Sequence, residues 1–194
     1  MSSIILIILL IIFAISIIIF IVFYKNKKIN EELLFYLYRE DEFPLNIYFY
    51  KETMDNKHFK YLFASVKTAV IKFNETFDFP FFVINRNTLV YPNVLMIQIA
   101  CGVHKGCISK FDDEGGILAH ATYPPYRKIC IDCSDITYDP LYIVIMHELG
   151  HILGLTHSKN EKVDSVMNAY INKNLTGFTE YDIKRVKKLF KFLK

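Results

Sequence analysis

Three histidines and a glutamate lie close together between His147 and Ser158, where the sequence is HELGHILGLTHS. On a helix, His147 and His151 are four residues apart and project from the same face, near enough to bind one metal ion. Glu148 is one position further around the helix, where its carboxylate can accept a proton from a metal-bound water. These residue types at this spacing predict a catalytic metal centre.

A third imidazole follows the predicted helix. Gly154 can adopt the left-handed backbone conformation that ends a helix, so the chain can turn back and present His157 to the same ion. Three neutral nitrogens leave one tetrahedral position open, which is typical of catalytic rather than structural zinc. Incidental histidines on a buried helix are the alternative, but they do not account for the two glycines of the pattern, Gly150 and Gly154.

The hydrophobic spacing predicts one α+β domain that positions these residues. A long helix is expected for KHFKYLFASVKTAVIKFNETF, and short strands for LNIYFY, PFFVIN, VLMIQIA, GGILAHATYPP and RKICID. A second long helix covers DPLYIVIMHELGHILG, with Asp139 as its expected N-cap. A closing helix begins near TEYDIK, with Thr179 as its cap. The predicted metal ligands therefore lie on the second helix and in the loop after it.

The N-terminal stretch from Ile4 to Phe23 is apolar apart from Ser16. About 20 uncharged residues suffice for a helix to cross a bilayer. We therefore expect a transmembrane anchor at residues 1–24, a tether at 25–43 and the folded domain at 44–194, with the lipid bilayer contacted through residues 4–23. The lysines that follow the span favour a cytosolic domain by the positive-inside tendency, and the side of the membrane stays open.

The composition excludes two other classes of protein. Hydrophobic residues make up 53% of the chain, which excludes a disordered protein. The net charge of +3 is too small to indicate a nucleic-acid partner. The basic residues after Asp182 alternate with apolar ones, as expected for the solvated face of an amphipathic helix.

The HELGHILGLTHS stretch resembles the signature of the metzincin proteases, and Ser158 after the third histidine resembles their matrixin branch. Met167, in DSVMNAY, stands at a distance similar to that of the methionine turn of matrixins. The GGILAHATYPP stretch looks like their substrate-binding edge strand. The resemblance implies the α+β matrixin fold: a five-stranded mixed sheet, two long helices and a small C-terminal subdomain with a third helix.

What this resemblance implies for function is a membrane-anchored zinc endopeptidase that cleaves extended protein or peptide substrates. His147, His151 and His157 would bind the catalytic zinc, Glu148 would activate a zinc-bound water, and Met167 would support the site. The implied substrate-binding residues are Ile117, Leu118, Ala119, Ala121, Ala169, Tyr170 and Ile171. The alternative is a catalytically silent membrane-bound module that kept the fold.

The resemblance also implies a calcium site in and after the FDDEGG loop. Asp112, Asp132 and Asp135 fall on the carboxylate ligands of the family, with Asp135 in place of the usual glutamate. Main-chain carbonyls near Asp113, Gly115 and Ile117 would complete the oxygen shell. The alternative is a polar turn with solvated acids.

A structural zinc site is implied as well, but its ligands are altered. His120 matches one ligand, Cys107 and Cys130 fall on two others, and His104 lies beside the fourth. In one interpretation these four residues bind a second zinc ion. In a second, Cys107 and Cys130 form a disulfide that replaces the metal, with Cys101–Cys133 as a second bridge between neighbouring strands; the sequence does not fix the connectivity. In a third, the cysteines are reduced, buried thiols.

Overall fold

A computed structural model describes residues 17–18, 38–50, 55–85, 93–104, 109–160 and 162–193. The predicted anchor, apart from Ile17 and Ile18, and most of the predicted tether lie outside these residues. None of the helices in the described ranges has both the length and the apolar character that a membrane span requires.

Five strands of the described chain form one sheet: β1 (Leu45–Phe49), β2 (Phe82–Ile84), β3 (Val94–Ala100), β4 (Ala119–Ala121) and β5 (Lys128–Asp132). Their order across the sheet is β2-β1-β3-β5-β4. The first four strands in this order, β2, β1, β3 and β5, are parallel to one another. Strand β4 alone runs antiparallel, against β5. The predicted mixed sheet is confirmed, with the GGILAHATYPP segment at its edge.

Helix α1 (Asn56–Phe77) buries one stripe of side chains against this sheet and the next helix. The buried positions recur at helical spacing: Leu62, Val66, Ala69, Val70, Phe73 and Phe77. Asp55 caps its N-terminus, because its carboxylate accepts hydrogen bonds from the main-chain N–H groups of Lys57 and His58 at 2.8 Å. Its C-terminus is fixed by Asn74, whose side chain bonds both main-chain polar groups of Phe82 in β2.

Helix α2 (Leu141–Ile152) is buried along its whole length. It packs between α1 and the edge strand β4, so its polar residues lie inside the protein. Asp139 is not its N-cap, which corrects the sequence prediction. The N-cap position is taken by Pro140, whose backbone is extended, with φ −93° and ψ 109°. No side chain caps the helix there, because Asp139 lies one residue too early to reach the first free N–H groups.

Helix α3 (Glu180–Leu189) closes the domain, as predicted, and is the third α-helix among residues 38–193 that the structure describes; a 3-10 turn at Glu40–Glu42 precedes β1. Thr179 is its N-cap, also as predicted: the hydroxyl accepts from the N–H of Asp182, and the Asp182 carboxylate accepts from the N–H of Thr179. This reciprocal arrangement is a capping box.

The compact unit begins at Tyr38, earlier than the predicted start of the domain at Pro44. The reason is an aromatic cluster around Phe43. Its ring lies 5.1 Å from Phe81 and 5.7 Å from Phe190 of the closing segment, edge to face in both cases. Residues 38–43, assigned to a tether from sequence, therefore pack on the domain.

We predict that Phe43→Ala destabilises the domain by roughly 2–3 kcal/mol, less than truncation of a fully buried phenylalanine. Urea unfolding measures this change. Tyr126→Ala is the control: Tyr126 is 72% exposed, so its truncation should change stability by less than about 0.5 kcal/mol. Equal midpoints for the two variants would show that residues 38–43 add nothing to the fold.

Candidate metal centre

Helix α2 presents His147 and His151 on one face, as their four-residue spacing requires. Their Nε2 atoms lie 2.9 Å apart inside the protein. Both side chains are almost fully buried. Two imidazole nitrogens of neutral rings do not attract each other at this distance unless a proton or a cation lies between them.

His157 completes the set from the bend after α2. Gly154 has φ 96°, which a side chain would disfavour, and its N–H donates to the carbonyl of His151. The next N–H, of Leu155, donates back to Gly150, so the helix ends in a tight turn. The Nε2 of His157 then lies 3.2 Å from that of His147, and the ligand atoms of all three histidines lie within 4.8 Å of one another.

Two main-chain carbonyls fix the orientation of the buried rings. The Nδ1 of His147 lies 2.7 Å from the carbonyl oxygen of Val166, and the Nδ1 of His151 lies 2.7 Å from that of Leu155. A carbonyl oxygen can only accept, so each Nδ1 carries the proton. Each Nε2 is therefore an unprotonated lone pair directed at the shared centre, which is the tautomer that metal binding needs.

Burial keeps these imidazoles neutral. It lowers the pKa of His147 to about 3, with a further contribution from His151, and lowers the pKa of His151 to about 4. The pKa of the more exposed His157 is also lowered, first by burial and then by the charge of Arg185. At neutral pH the three imidazole rings are therefore uncharged. The residues present fit a zinc ion with an open fourth position.

Glu148 points into the same region from the next position of α2. Burial raises the pKa of its carboxyl to about 8, while a hydrogen bond from the main chain of Ala121 in β4 lowers it. Its Oε2 is buried and has no hydrogen-bond partner among the described residues. A buried carboxyl oxygen without a partner among the described residues, beside three candidate metal ligands, is available to exchange a proton.

Met167 lies against α2 at Gly150, the residue before His151, and is fully buried. A Cβ added to Gly150 would stand 2.5 Å from its sulfur, so the glycine of the motif is what lets Met167 approach the helix. The carbonyl of Met167 accepts from the N–H of Ser158 at 2.7 Å, which ties the segment after His157 to the same turn.

Sequence analysis missed Asp182, which holds this turn in place from α3. Its buried carboxylate accepts from the main-chain N–H of Val166 at 2.9 Å and from the hydroxyl of Ser165. Val166 is the residue whose carbonyl orients His147. The Thr179–Asp182 capping box was recognisable from sequence, but the reach of the same carboxylate to the methionine turn depends on how α3 packs.

A cleft of about 790 Å³ opens onto the three histidines. The seven residues assigned to substrate binding from sequence all line it: Ile117, Leu118, Ala119, Ala121, Ala169, Tyr170 and Ile171. Tyr123 and Tyr138 also line it and were not foreseen. The ring of Tyr123 lies edge-on to that of His151 at 5.2 Å, so it borders the metal centre.

The predicted calcium residues surround a tight loop. Asp112 accepts from the N–H of Ile117, Asp135 accepts from that of Gly115, and Gly116 lies so close to the Asp112 carboxylate that a side chain there would clash. Burial raises the pKa of Asp135, and the carboxylates of Asp132, Glu114 and Asp112 raise it further against the lowering effect of the Gly115 N–H. Among the described residues these acids do not converge as closely as the histidines do.

The cysteines of the described chain are oxidised. Cys101 and Cys133 form a disulfide at the adjoining ends of β3 and β5. Cys130 is also disulfide-bonded, to a partner outside the described residues, where Cys107 of the predicted site also lies.

The predicted second zinc site contains His104, His120 and Cys130, whose ligand atoms lie within 4.8 Å of one another. The two Nε2 atoms are 3.3 Å apart, and the rings stack on Phe111. A disulfide sulfur is not a thiolate ligand. With Cys130 oxidised, only two imidazoles remain in the described part of this site, which does not fit a tetrahedral zinc ion. Zinc here would require the reduced protein.

The chain is similar in sequence to known proteins. A family model described as matrixin matches residues 38–191. The chain is 32% identical over 110 residues to matrix metalloproteinase-15 of Homo sapiens, and 42% identical over 73 residues to stromelysin-1 of Mus musculus. These matches cover 50% and 33% of this chain but only 16% and 15% of the two relatives.

We predict that Asp182→Asn destabilises the domain by about 2–4 kcal/mol, since an amide nitrogen would face donors that now meet a carboxylate. Because His147 is oriented through Val166, zinc affinity should also fall about 10-fold, as for other residues that position metal ligands. Urea unfolding and competition with a chromophoric chelator measure the two effects. Glu180→Gln, an exposed charge loss in the same helical turn, should change neither; loss of zinc affinity in both variants would argue against the specific role of Asp182.

Proposed function

The chain belongs to the matrixin family, and on this premise we propose that it is a zinc-dependent endopeptidase that cleaves extended protein or peptide substrates. The observation that carries the proposal is the convergence of the ligand atoms of three histidines beside the buried carboxyl of Glu148. The chain spans less than a quarter of the length of the first relatives it matches, so activity and substrates are inferred for this domain only.

His147, His151 and His157 would hold the ion. The Nδ1 atoms of His147 and His151 are bound to carbonyls, so the orientation of these two rings is set without the metal. When bound, a zinc ion supplies Lewis acidity that polarises a peptide carbonyl and makes water more acidic.

Glu148 would act as general base and then as general acid. Its carboxylate takes a proton from the attacking water at the unpartnered Oε2 and later passes it to the leaving amine. In the metal-free protein its raised pKa keeps that proton bound near neutral pH. A nearby divalent cation favours the ionised form, so metal binding would place the base in its working state.

Strand β4 would bind the substrate backbone. The carbonyl of Leu118 and the N–H of Thr122 are bonded to β5, so the main-chain groups of the alternate residues Ala119 and Ala121 face the cleft. An extended peptide can pair with this edge, as in other cases of strand addition. Because the Ala121 N–H already bonds Glu148, Ala119 and the Ala121 carbonyl would carry the pairing.

The pocket beside the metal would select an apolar substrate side chain. Val144, Ala169 and Ile171 line it together with Tyr138. Matrixins commonly have Tyr-Pro where this chain has Asn168-Ala169, so the wall at this position is built from smaller side chains. We propose a preference for medium to large apolar residues.

We propose calcium as a structural ion, held by Asp112, Asp132 and Asp135 with carbonyls of the loop. Asp132 is 1% exposed, and its Oδ2 has no hydrogen-bond partner among the described residues. A buried carboxylate oxygen without a donor is costly unless a cation binds it.

For its location, we propose an oxidising compartment, with residues 4–23 as the membrane anchor. The Cys101–Cys133 disulfide supports this compartment, because such bonds persist outside the cytosol. It opposes the cytosolic orientation suggested by Lys25, Lys27 and Lys28. The support for the anchor is the apolar sequence of residues 4–23 alone.

We predict that Glu148→Gln lowers peptide hydrolysis by about 10²–10⁴-fold while the protein still binds one equivalent of zinc, because the amide cannot exchange the proton. Cleavage of a peptide library followed by mass spectrometry, with zinc content measured in parallel, gives both quantities. Glu75→Gln, at an exposed position of α1, should leave activity unchanged. No cleavage by the zinc-loaded wild type would favour the catalytically silent alternative.

We predict that calcium raises the thermal midpoint of the protein and that Asp132→Asn removes most of this effect. A ligand at 100 times its Kd adds about 2.7 kcal/mol of stability, which a thermal scan detects readily. Asp113→Asn is the matched control, because Asp113 is exposed and would contribute only its main-chain carbonyl. If the two variants respond to calcium alike, Asp132 is not a ligand.

A further inference from the structure

Asn174 occupies an exposed turn just beyond the cleft. The sequence there is Asn-Leu-Thr, an N-x-[ST] acceptor sequence for N-linked glycans, with Asn174 and Thr176 both exposed. The turn is held by Asn172, whose carbonyl accepts from the N–H of Leu175 and whose side chain accepts from the N–H of Asn174. Only the main chain of Asn174 is engaged in these bonds, so its amide side chain projects from a fixed backbone.

The chain contains one other acceptor sequence, Asn74-Glu-Thr76, and its environment is the opposite. Asn74 lies inside α1, with its Nδ2 donating to the carbonyl of Phe82 and its Oδ1 accepting from the N–H of the same residue. A glycan on Nδ2 would replace one amide hydrogen and add bulk at the point where α1 is bonded to β2. We therefore expect no glycan at Asn74 in the folded molecule, and this second acceptor sequence serves as an internal control.

The disulfide bond is consistent with a compartment in which N-linked glycans are attached. The bond between Cys101 and Cys133 forms in oxidising compartments, which include the lumen where N-linked glycans are attached. An exposed acceptor and an oxidised cystine are two independent observations that agree.

We infer that Asn174 is a site of N-linked glycosylation. The donor is an oligosaccharide on a lipid diphosphate. The bond from the anomeric carbon to the phosphate oxygen breaks, the lipid diphosphate leaves with the electron pair, and the anomeric carbon bonds to Nδ2 of Asn174 as one amide proton is released.

The position of the glycan gives it a consequence for the cleft. Ile171, three residues before Asn174 in the sequence, lines the cleft. The side chain of Asn172 donates a hydrogen bond to the carboxylate of Asp164, which holds this part of the chain in place. A hydrated oligosaccharide beside this wall would hinder folded protein partners more than short extended peptides.

The test expresses the full chain in a eukaryotic host and compares gel mobility before and after treatment with peptide N-glycosidase. We expect a downward shift for the wild type. Thr176→Ala should abolish it without altering Asn174, and Thr176→Ser, which keeps the acceptor sequence, should retain it. Thr76→Ala, which removes the other acceptor, should leave the shift unchanged.

Three results would overturn the inference. The first is a wild type whose mobility does not change on treatment, whether or not its disulfides have formed. The second is a shift lost in Thr76→Ala but kept in Thr176→Ala. The third is a peptide mass map in which Asn174 remains unmodified asparagine after enzyme treatment, instead of becoming aspartate.

Discussion

Two hydrogen bonds to main-chain carbonyls, one at Val166 and one at Leu155, orient the imidazoles on which the candidate metal site depends. They fix the protons of His147 and His151 on Nδ1 and so direct both Nε2 lone pairs to one point. Neither carbonyl belongs to α2. One comes from the bend that Gly154 permits, and the other from the methionine turn held by Asp182. The site therefore depends on loops that are anchored from outside the helix carrying the ligands.

The same burial that isolates the site also removes its charge. It lowers the pKa of His147 and His151 far below neutrality and raises that of Glu148 above it. Each shift disfavours the charged form of the buried group, which limits the cost of an unpaired internal charge. A divalent cation then meets three free ligands and a carboxyl that can ionise in response.

Local patterns allowed much of this arrangement to be predicted from sequence. The 3.6-residue period predicted α1 and α2, the two prolines after GGILAHATY predicted an edge position for β4, and the histidine spacing predicted that the three imidazoles converge. What failed or was missed depends on contacts between distant segments. Asp139 does not cap α2 because the backbone at Pro140 is extended, and Tyr38–Phe43 belongs to the domain because its aromatic rings meet the C-terminal segment. Asp182 shows the same limit, since only packing brings it to Val166.

The cystine between Cys101 and Cys133 joins the ends of two parallel strands, one residue after the register pair Ala100 and Asp132. It flanks the acidic loop on the side where Asp132 and Asp135 leave the sheet. This covalent bond between the two strands does not depend on a bound ion. The backbone that carries Asp132 and Asp135 is therefore held by a covalent bond whether or not a cation is bound to these acids.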